Sequence, residues 1–535
     1  MNFPLNNPGS PFEPAGLRPR AIALLFVLLF AAACIPVLTH PLPPFADYAN
    51  HLARIHVINT IDQDPFLARY YEIEWEIIPN LMIDLVLPLF NRVMNIYAAG
   101  QLFTVLSFLL IVSGTLVLNR ALFGRWSALP LLSVALLYNG VLLVGVLNYV
   151  FGIGLALWAL AGWVALRERG ILLRLAVSTV FAVALFFCHL FAVGLYGLGL
   201  LAMELHRLWQ MRNEPLRPRL IDFFATGLPF LFVIALMAAG PTVNSPGISA
   251  YWEFGGKLEG LEIAFSVYYP EVGFSVVAAL AIIAFFAFRA GVLRFHSLGW
   301  FLLGVGGLVY LAMPRAIFAA HLADQRLPIA LAFMLIACFN LELRTQFARR
   351  ALVAVLAAVA IVSVSEVQTV WNGLAPRTNE FLQSVRTMDR GARVLVVHGS
   401  GGGQERITNA DIMHAASLAT IERSALVTTA FTVPGKHILQ VRDEYARYVE
   451  TEDRWPPSLP YFLEVAERGS DARKYFWEYW PRHYDYVYIL FTKHGWRCPD
   501  RKHLTLVHDG GGFQLYRVNK TNQAGTAPPA TDQGG

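Results

Sequence analysis

Residues 40–56 read HPLPPFADYANHLARIH. The prolines stop whatever helix precedes them, and Asp47 stands where it would cap the next one. In that next helix positions 47, 50, 51 and 54 fall at i, i+3, i+4 and i+7, so Asp47, Asn50, His51 and Arg54 share one face. Tyr48, Leu52 and Ile55 line the opposite face, as in a helix lying on a membrane surface. A carboxylate grouped with cationic and hydrogen-bonding side chains can take a proton from a nucleophile while the cations hold a phosphate leaving group. The plainer alternative makes Asp47 a cap, sends Arg54 to lipid phosphates and leaves His51 idle.

A second constellation is Arg315, His321, Asp324 and Arg326 within RAIFAAHLADQR (315–326). Charges near lipid are costly, about 2.5–3.5 kcal/mol each at a bilayer centre and less at the interface. Binding an anionic headgroup would justify them, as would anchoring at the interface. In 240–271, Glu253, Lys257, Glu259, Glu262 and Glu271 accompany Tyr251, Trp252 and Tyr268, a mixture suited to a sugar or an acceptor and equally to an interfacial belt.

The elements that must position these groups are membrane helices. Of 535 residues 56% are hydrophobic and 15% charged, against about 25% charged in soluble domains, which excludes an ordinary cytosolic enzyme and a disordered chain. Forty-two basic against 37 acidic residues are too balanced for a nucleic-acid binder. Cys34, Cys188, Cys338 and Cys498 have no paired spacing, so neither a disulfide framework nor a zinc site is indicated. A span needs about 20 apolar residues. Eleven runs qualify: 21–39, 99–119, 127–145, 148–166, 171–188, 189–206, 219–239, 272–289, 296–313, 327–343 and 350–367. Accepting them places arginines 18, 20, 120, 125, 167, 169, 174, 207, 212, 217, 219, 289, 294, 344, 349 and 350 on one side, the cytoplasm by the positive-inside rule.

That topology predicts a multi-pass protein of a bacterial inner membrane, with residues 1–20 cytoplasmic, a transmembrane domain over 21–370, and loops 40–98 and 240–271 outside. Counting 79–98 as a further span would invert the later loops, so it reads as an amphipathic helix on the outer surface. A cleaved signal peptide or a lipobox at Cys34 would remove a helix the topology needs. From 375 to 520 the mixed, charged composition predicts a periplasmic α/β domain. Strands are expected at 393–397 and 484–491 and as a hairpin of 504–507 with 513–518, and helices near 378–389, 409–422, 437–449 and 459–480. VLVVHGSGGG reads as a strand and plain turn, without a complete dinucleotide fingerprint. The wide spacing of His398, His414 and His437 favours surface or structural roles over metal ligation. The tail 521–535 reads as disordered. The short cytoplasmic loops show no phosphate loop and no ATPase domain.

An inward N-terminus, an Asp soon after helix one, two surface helices (about 47–60 and 80–96), many spans and an outer C-terminal α/β domain together resemble the GT-C superfamily of integral membrane glycosyltransferases. The resemblance implies a mainly α fold, a polytopic helical bundle with a small external α/β domain. It also implies a polyprenyl-phosphate- or diphosphate-linked sugar donor, an envelope acceptor and Asp47 as the catalytic carboxylate. Loop one has no D-x-D or paired-acid motif, and the W-W-D-Y-G signature of oligosaccharyltransferases is absent, which puts protein N-glycosylation and a bound metal in doubt. No cofactor is expected, and a divalent metal stays open. On this reading Arg54, Arg315 and Arg326 hold the donor phosphate with His51 or His321 assisting, while Asn50, Asp324 and Glu253 complete a substrate site. The partners are the lipid-linked donor and membrane lipids, with no nucleic acid. The rivals are a transporter or flippase of a lipid-linked or amphipathic anionic substrate, and a membrane scaffold.

Overall fold

The computed structural model describes residues 16–244, 250–317, 322–399, 411–449, 456–466, 476–478, 480–493 and 495–520; statements about the molecule concern these. The chain begins with α1 (Pro19–Thr39), then α2 (Tyr48–Thr60), α3 (Pro65–Tyr70), β1 (Tyr71–Ile73) and α4 (Met82–Asn91). The bundle continues through α5 (Ile96–Phe123), α6 (Gly140–Val144), α7 (Leu147–Ala165), α8 (Ile171–Cys188), α9 (Leu190–Gln210), α10 (Leu216–Ala225) and α11 (Leu228–Ala239). After these come α12 (Gly256–Phe265), α13 (Pro270–Arg289), β2 (Leu293–Phe295), α14 (Leu298–Ala312), α15 (Leu327–Ala337), β3 (Phe339–Leu341) and α16 (Gln346–Arg386).

The chain is a multi-pass membrane protein, mainly helical. Among the described residues eight helices are long and apolar enough to cross a membrane: α1, α5, α7, α8, α9, the α10–α11 run, α13 and α16. The other runs marked from sequence, 127–145, 296–313 and 327–343, are shorter helices. In 127–145 the break has a local cause: a 3-10 turn (Leu129–Leu136) gives way to α6, whose first turn Asn139 caps through Leu142 N–H at 3.1 Å. The run is apolar because it is buried by protein, with Leu131, Leu137, Leu142 and Leu143 at most 1% exposed. At the bundle's centre α5 and α7 pack backbone to backbone. A Cβ on Gly154 would lie 2.5 Å from Leu110 Cβ, and one on Gly114 2.9 Å from Leu157 Cβ.

The helix α16 runs 41 residues from the bundle into the C-terminal domain, so the compositional change near 375 falls inside a continuous helix that carries Pro376 without ending. Beyond it lie β4 (Arg393–His398), α17 (Leu418–Arg423), β5 (Leu426–Val427), β6 (Leu439–Val441), α18 (Asp443–Ala446), α19 (Leu459–Val465), α20 (Trp480–His483), β7 (Tyr486–Leu490), β8 (Leu504–Gly510) and β9 (Phe513–Val518). The five-stranded sheet has the order β5-β4-β7-β9-β8, parallel across β5, β4 and β7 and antiparallel thereafter. Its predicted strands are all present. The helix expected at 437–449 is reduced to α18, because the residues ahead of it form β6, which pairs antiparallel with β1, Tyr71 opposite Val441 and Ile73 opposite Leu439. A local reading cannot see that partner, which lies in the loop after α1 and ties that loop to the C-terminal domain. The glycines after His398 from residue 400 on, and the tail from 521, lie outside the described residues.

The segment 79–98 also differs from its expectation. It divides into α4 and the start of α5, and α4 turns its one acid inward. Asp84 is 2% exposed while Leu85 and Leu89 are exposed, the reverse of a helix with its polar face in water.

Candidate functional site

Asp47 opens α2, yet its side chain makes no capping bond. Oδ1 instead lies 3.5 Å from Nε2 of His414, in the C-terminal domain. The backbone at 46 and 47 is seated on the α6 turn, with Ala46 N–H donating to Leu143 O (2.9 Å) and Asp47 N–H to Val144 O (3.2 Å). Gly145 makes that approach possible. Its φ of +93° is left-handed, and a Cβ there would lie 2.8 Å from Asp47 N and 3.0 Å from Asp47 Cβ. Gly145→Ala is expected to cost about 1–2 kcal/mol for the conformation alone and to displace Asp47. A thermal melt paired with an activity assay checks this, and an alanine variant with wild-type activity would count against the placement.

The polar face of α2 is covered. Asn50, His51 and Arg54 are 1%, 5% and 1% exposed, and Tyr48, Leu52 and Ile55 are buried too. This corrects the surface-helix expectation, because the C-terminal domain packs over the polar side. Asn50 fastens it: Nδ2 donates to Thr429 O (2.9 Å), and Oδ1 accepts from Ser417 Oγ (2.9 Å) and Phe431 N–H (3.3 Å). Arg54 grips Asp84 with two bonds, Nε to Oδ1 at 2.6 Å and Nη2 to Oδ2 at 3.1 Å. It is therefore withdrawn from the lipid or donor phosphate assigned to it from sequence. His51 Nε2 reaches Gly145 O at 3.2 Å and Nδ1 faces Arg54 Nη2 at 3.3 Å, a pairing that selects the Nε2–H tautomer.

Phe431 is the hub of three histidines: His51 (5.7 Å) and His414 (5.4 Å) meet it edge-on, and His437 stacks on it at 5.2 Å. Burial, with Arg54 nearby, pushes His51 down to about 3. Burial, with His398, pushes His414 down to about 4; burial and Arg54 also hold His437 well below the usual histidine range. All three are neutral at neutral pH. Because the unfolded chain takes up protons below about 6.5 while the folded rings resist, their contribution to stability is complete above that pH. It is lost as the pH falls through the lowered values. The melting temperature is expected to hold from pH 8 to 7 and to drop steadily from about 6.5 toward 4; no change over that lower range would contradict the buried neutral cluster.

The second constellation is a set of ion pairs that latches α12 to 315–326. Lys257 Nζ meets Asp324 Oδ2 at 2.8 Å, and Arg315 meets Glu259 at 2.7 Å, Glu253 at 3.5 Å and Asp324 at 3.9 Å. Two cations face three carboxylates, so this cluster is not the anion site suggested by its arginine, and Glu253 is explained as a partner of Arg315. His321 lies outside the described residues. Arg326 is turned elsewhere: Nη1 is 3.0 Å from His189 Nε2, and the guanidinium lies 5.3 Å from the Phe191 ring centroid. The α6–α7 stretch touches both constellations. Gly145 supports Asp47, a Cβ on Gly140 would meet Ile263 Cβ of α12 at 2.7 Å, and Tyr149 OH donates to Arg326 O at 2.9 Å. Tyr268 also joins this region: it accepts from Trp371 Nε1 at 2.8 Å, and Trp371 stands edge-on to His40 and Phe45 just ahead of Asp47.

The structure thus brings Asp47, Asn50 and His51 together, adds His414, His437, Phe431 and Gly145, and separates Arg315 and Asp324 into a neighbouring latch. Sequence spacing had set His414 and His437 aside. Among the described residues no group of three or more His, Cys, Asp and Glu side chains could hold a metal. No family model matches the chain, and no curated protein matches it. The chain is similar to the crystal structure of ArnT from Cupriavidus metallidurans bound to undecaprenyl phosphate, with 10% identity, a TM-score of 0.49, and coverage of 94% of this chain and 98% of that one. That likeness carries no weight for the chemistry, which rests on the site itself.

Proposed function

We propose that the chain is a membrane glycosyltransferase. It moves a sugar from a polyprenyl-phosphate-linked donor to an envelope acceptor on the side of the membrane that carries the C-terminal domain. In this reading that side is the periplasmic face of a bacterial inner membrane, and the N-terminus is cytoplasmic. The observation that carries the proposal is Asp47: a carboxylate in the first loop, seated on the Gly145 turn, faced by a neutral imidazole, and placed where bundle and C-terminal domain meet. Its side chain keeps 25% of its surface, whereas Asn50, His51 and Arg54 beside it are sealed.

Asp47 acts as general base. It takes the proton of an acceptor hydroxyl as that oxygen forms a bond to the anomeric carbon; the bond from that carbon to the phosphate oxygen breaks, and polyprenyl phosphate leaves with the electron pair. Phosphate leaves as a stable anion, so a neighbouring cation suffices in place of a general acid. Arg326, whose Nη1 lies 3.0 Å from His189 Nε2 and whose guanidinium lies over the Phe191 ring, takes that role. The test is release of free polyprenyl phosphate from a panel of labelled polyprenyl-phosphate sugars by the purified protein in nanodiscs. Release that depends on an acceptor fraction is expected. Donor that stays intact while bound would replace the reading with a transporter or flippase.

A further inference from the structure

Three arginines gather where α7 ends, α8 begins and α9 ends, at the far end of the bundle from Asp47. The helix α7 separates the two places: it starts two residues after Gly145, and its 19 residues rise about 28 Å. Glu204 is the buried carboxylate at the centre of the arginines. Its Oε1 accepts from Arg167 Nη2 at 3.0 Å and from Trp163 Nε1 at 3.2 Å, and its Oε2 from Arg207 Nη1 at 3.3 Å. Arg207 also holds Asp222 of α10. Arg174 is left over. It is 4% exposed, and its Nε is sealed without a hydrogen-bond partner. The guanidinium lies 4.4 Å from the Trp163 ring centroid, a face that attracts the cation but supplies no acceptor oxygen for its N–H groups. Among the described residues no carboxylate pairs with it. Three guanidiniums thus face two carboxylates, and the surplus charge rests on the one buried most deeply, which is costly unless an anion compensates it.

The backbone beside Arg174 lacks an acceptor as well. Arg174 lies in the first turn of α8, where Ile171, Leu172 and Leu173 have N–H groups with no intrahelical acceptor. The N-cap is Gly170, which has no side chain to cap them, and the turn carries no acid. Side chains lean toward the N-terminus of their helix, so Arg174 is directed back over this turn. A cation there opposes the helix macrodipole, whereas an anion would satisfy both the dipole and the guanidinium.

We propose that Arg174 and the first turn of α8 bind the phosphodiester of an anionic phospholipid in the leaflet remote from Asp47. One phosphodiester carries the single negative charge that the cluster lacks, and a guanidinium presents parallel donors to its oxygens. The site stands at the end of a membrane-spanning helix, with Ile171, Leu172 and Leu173 exposed around it, so acyl chains cover these side chains while the headgroup meets Arg174. A zwitterionic headgroup would bring its own cation against the surplus positive charge. The arginine-rich loops place this end in the cytoplasmic leaflet by the positive-inside rule, where basic pockets between spans take anionic headgroups. Neither Asp47 nor the sugar donor enters this site.

The experiment titrates the full chain in detergent with phosphatidylglycerol, with phosphatidylcholine of the same acyl chains and with inorganic phosphate, reading equilibrium binding and melting temperature. Wild type is compared with Arg174→Met, which keeps an apolar stem on Trp163, with Arg174→Lys, which keeps the charge, and with Arg169→Gln, which removes an exposed charge from the same loop. Phosphatidylglycerol is expected to bind at least tenfold more weakly to Arg174→Met, with a smaller loss in Arg174→Lys and none in Arg169→Gln. It should raise the melting temperature of wild type but not of Arg174→Met, and without lipid Arg174→Met should melt at or above wild type. Undiminished phosphatidylglycerol binding by folded Arg174→Met would overturn the site. An Arg174→Met variant that melts below wild type without lipid and keeps the full shift with it would reduce Arg174 to packing on Trp163. An equal loss in Arg169→Gln would replace the site by diffuse surface charge, and phosphatidylcholine binding as tightly as phosphatidylglycerol would contradict the charge argument. Displacement of the lipid by an equal concentration of inorganic phosphate would overturn the lipid as occupant.

Discussion

Asp47→Asn is expected to lower sugar transfer by at least about 100-fold, the scale of a lost general base, with donor affinity and melting temperature close to wild type. Asparagine is isosteric and keeps the seat on the Val144 and Leu143 carbonyls, which is made by backbone groups, so structure and chemistry separate in this variant. His414→Gln should fall between the two: it removes the neutral ring 3.5 Å from the carboxylate and leaves the base in place. A variant Asp47→Asn with wild-type turnover would end the assignment.

The largest effect on stability is expected at Arg54 and Asp84. Both side chains are nearly sealed, at 1% and 2% exposure, and Arg54 Nη1 already lacks a hydrogen-bond partner. Removing one partner of such a pair leaves an uncompensated buried charge and costs about 3–5 kcal/mol, whereas replacing both with apolar groups of similar volume is often neutral or stabilising. Asp84→Ala should therefore melt far below wild type, and the double variant Arg54→Met with Asp84→Leu should recover most of the loss. Recovery of transfer alongside stability would show that Arg54 positions α2 against α4. A stable double variant without activity would return Arg54 to the substrate. Equal melting of Asp84→Ala and wild type would contradict the buried pair.

Much of the architecture is legible in local pattern. Apolar runs of span length became helices because a long stretch without charge has few other places to go, and the Val-, Ile- and Tyr-rich runs at 393–397 and 484–491 became the inner strands. The Asp47 position was legible for a similar reason, since prolines followed by an acid and a polar helical face form a local signal. The rest depends on contacts between distant segments. Spacing within α2 shows that Arg54 shares a face with Asp47, but Asp84 arrives from another helix and claims it. His414 stood apart in the sequence and is brought over Asp47 by the β1–β6 pairing and the Asn50 bonds. The acids around Arg315 were visible as charges, yet only their placement shows them neutralising the cations beside them.

Asp47 as the general base is tested most directly by the anomeric configuration of the product, read by NMR after transfer from a donor of defined configuration. With Asp47 as base the acceptor oxygen attacks opposite the departing phosphate in one displacement, so the product should carry the inverted configuration. Retention would require a covalent sugar intermediate and a second displacement, which would contradict Asp47 as general base in a single step.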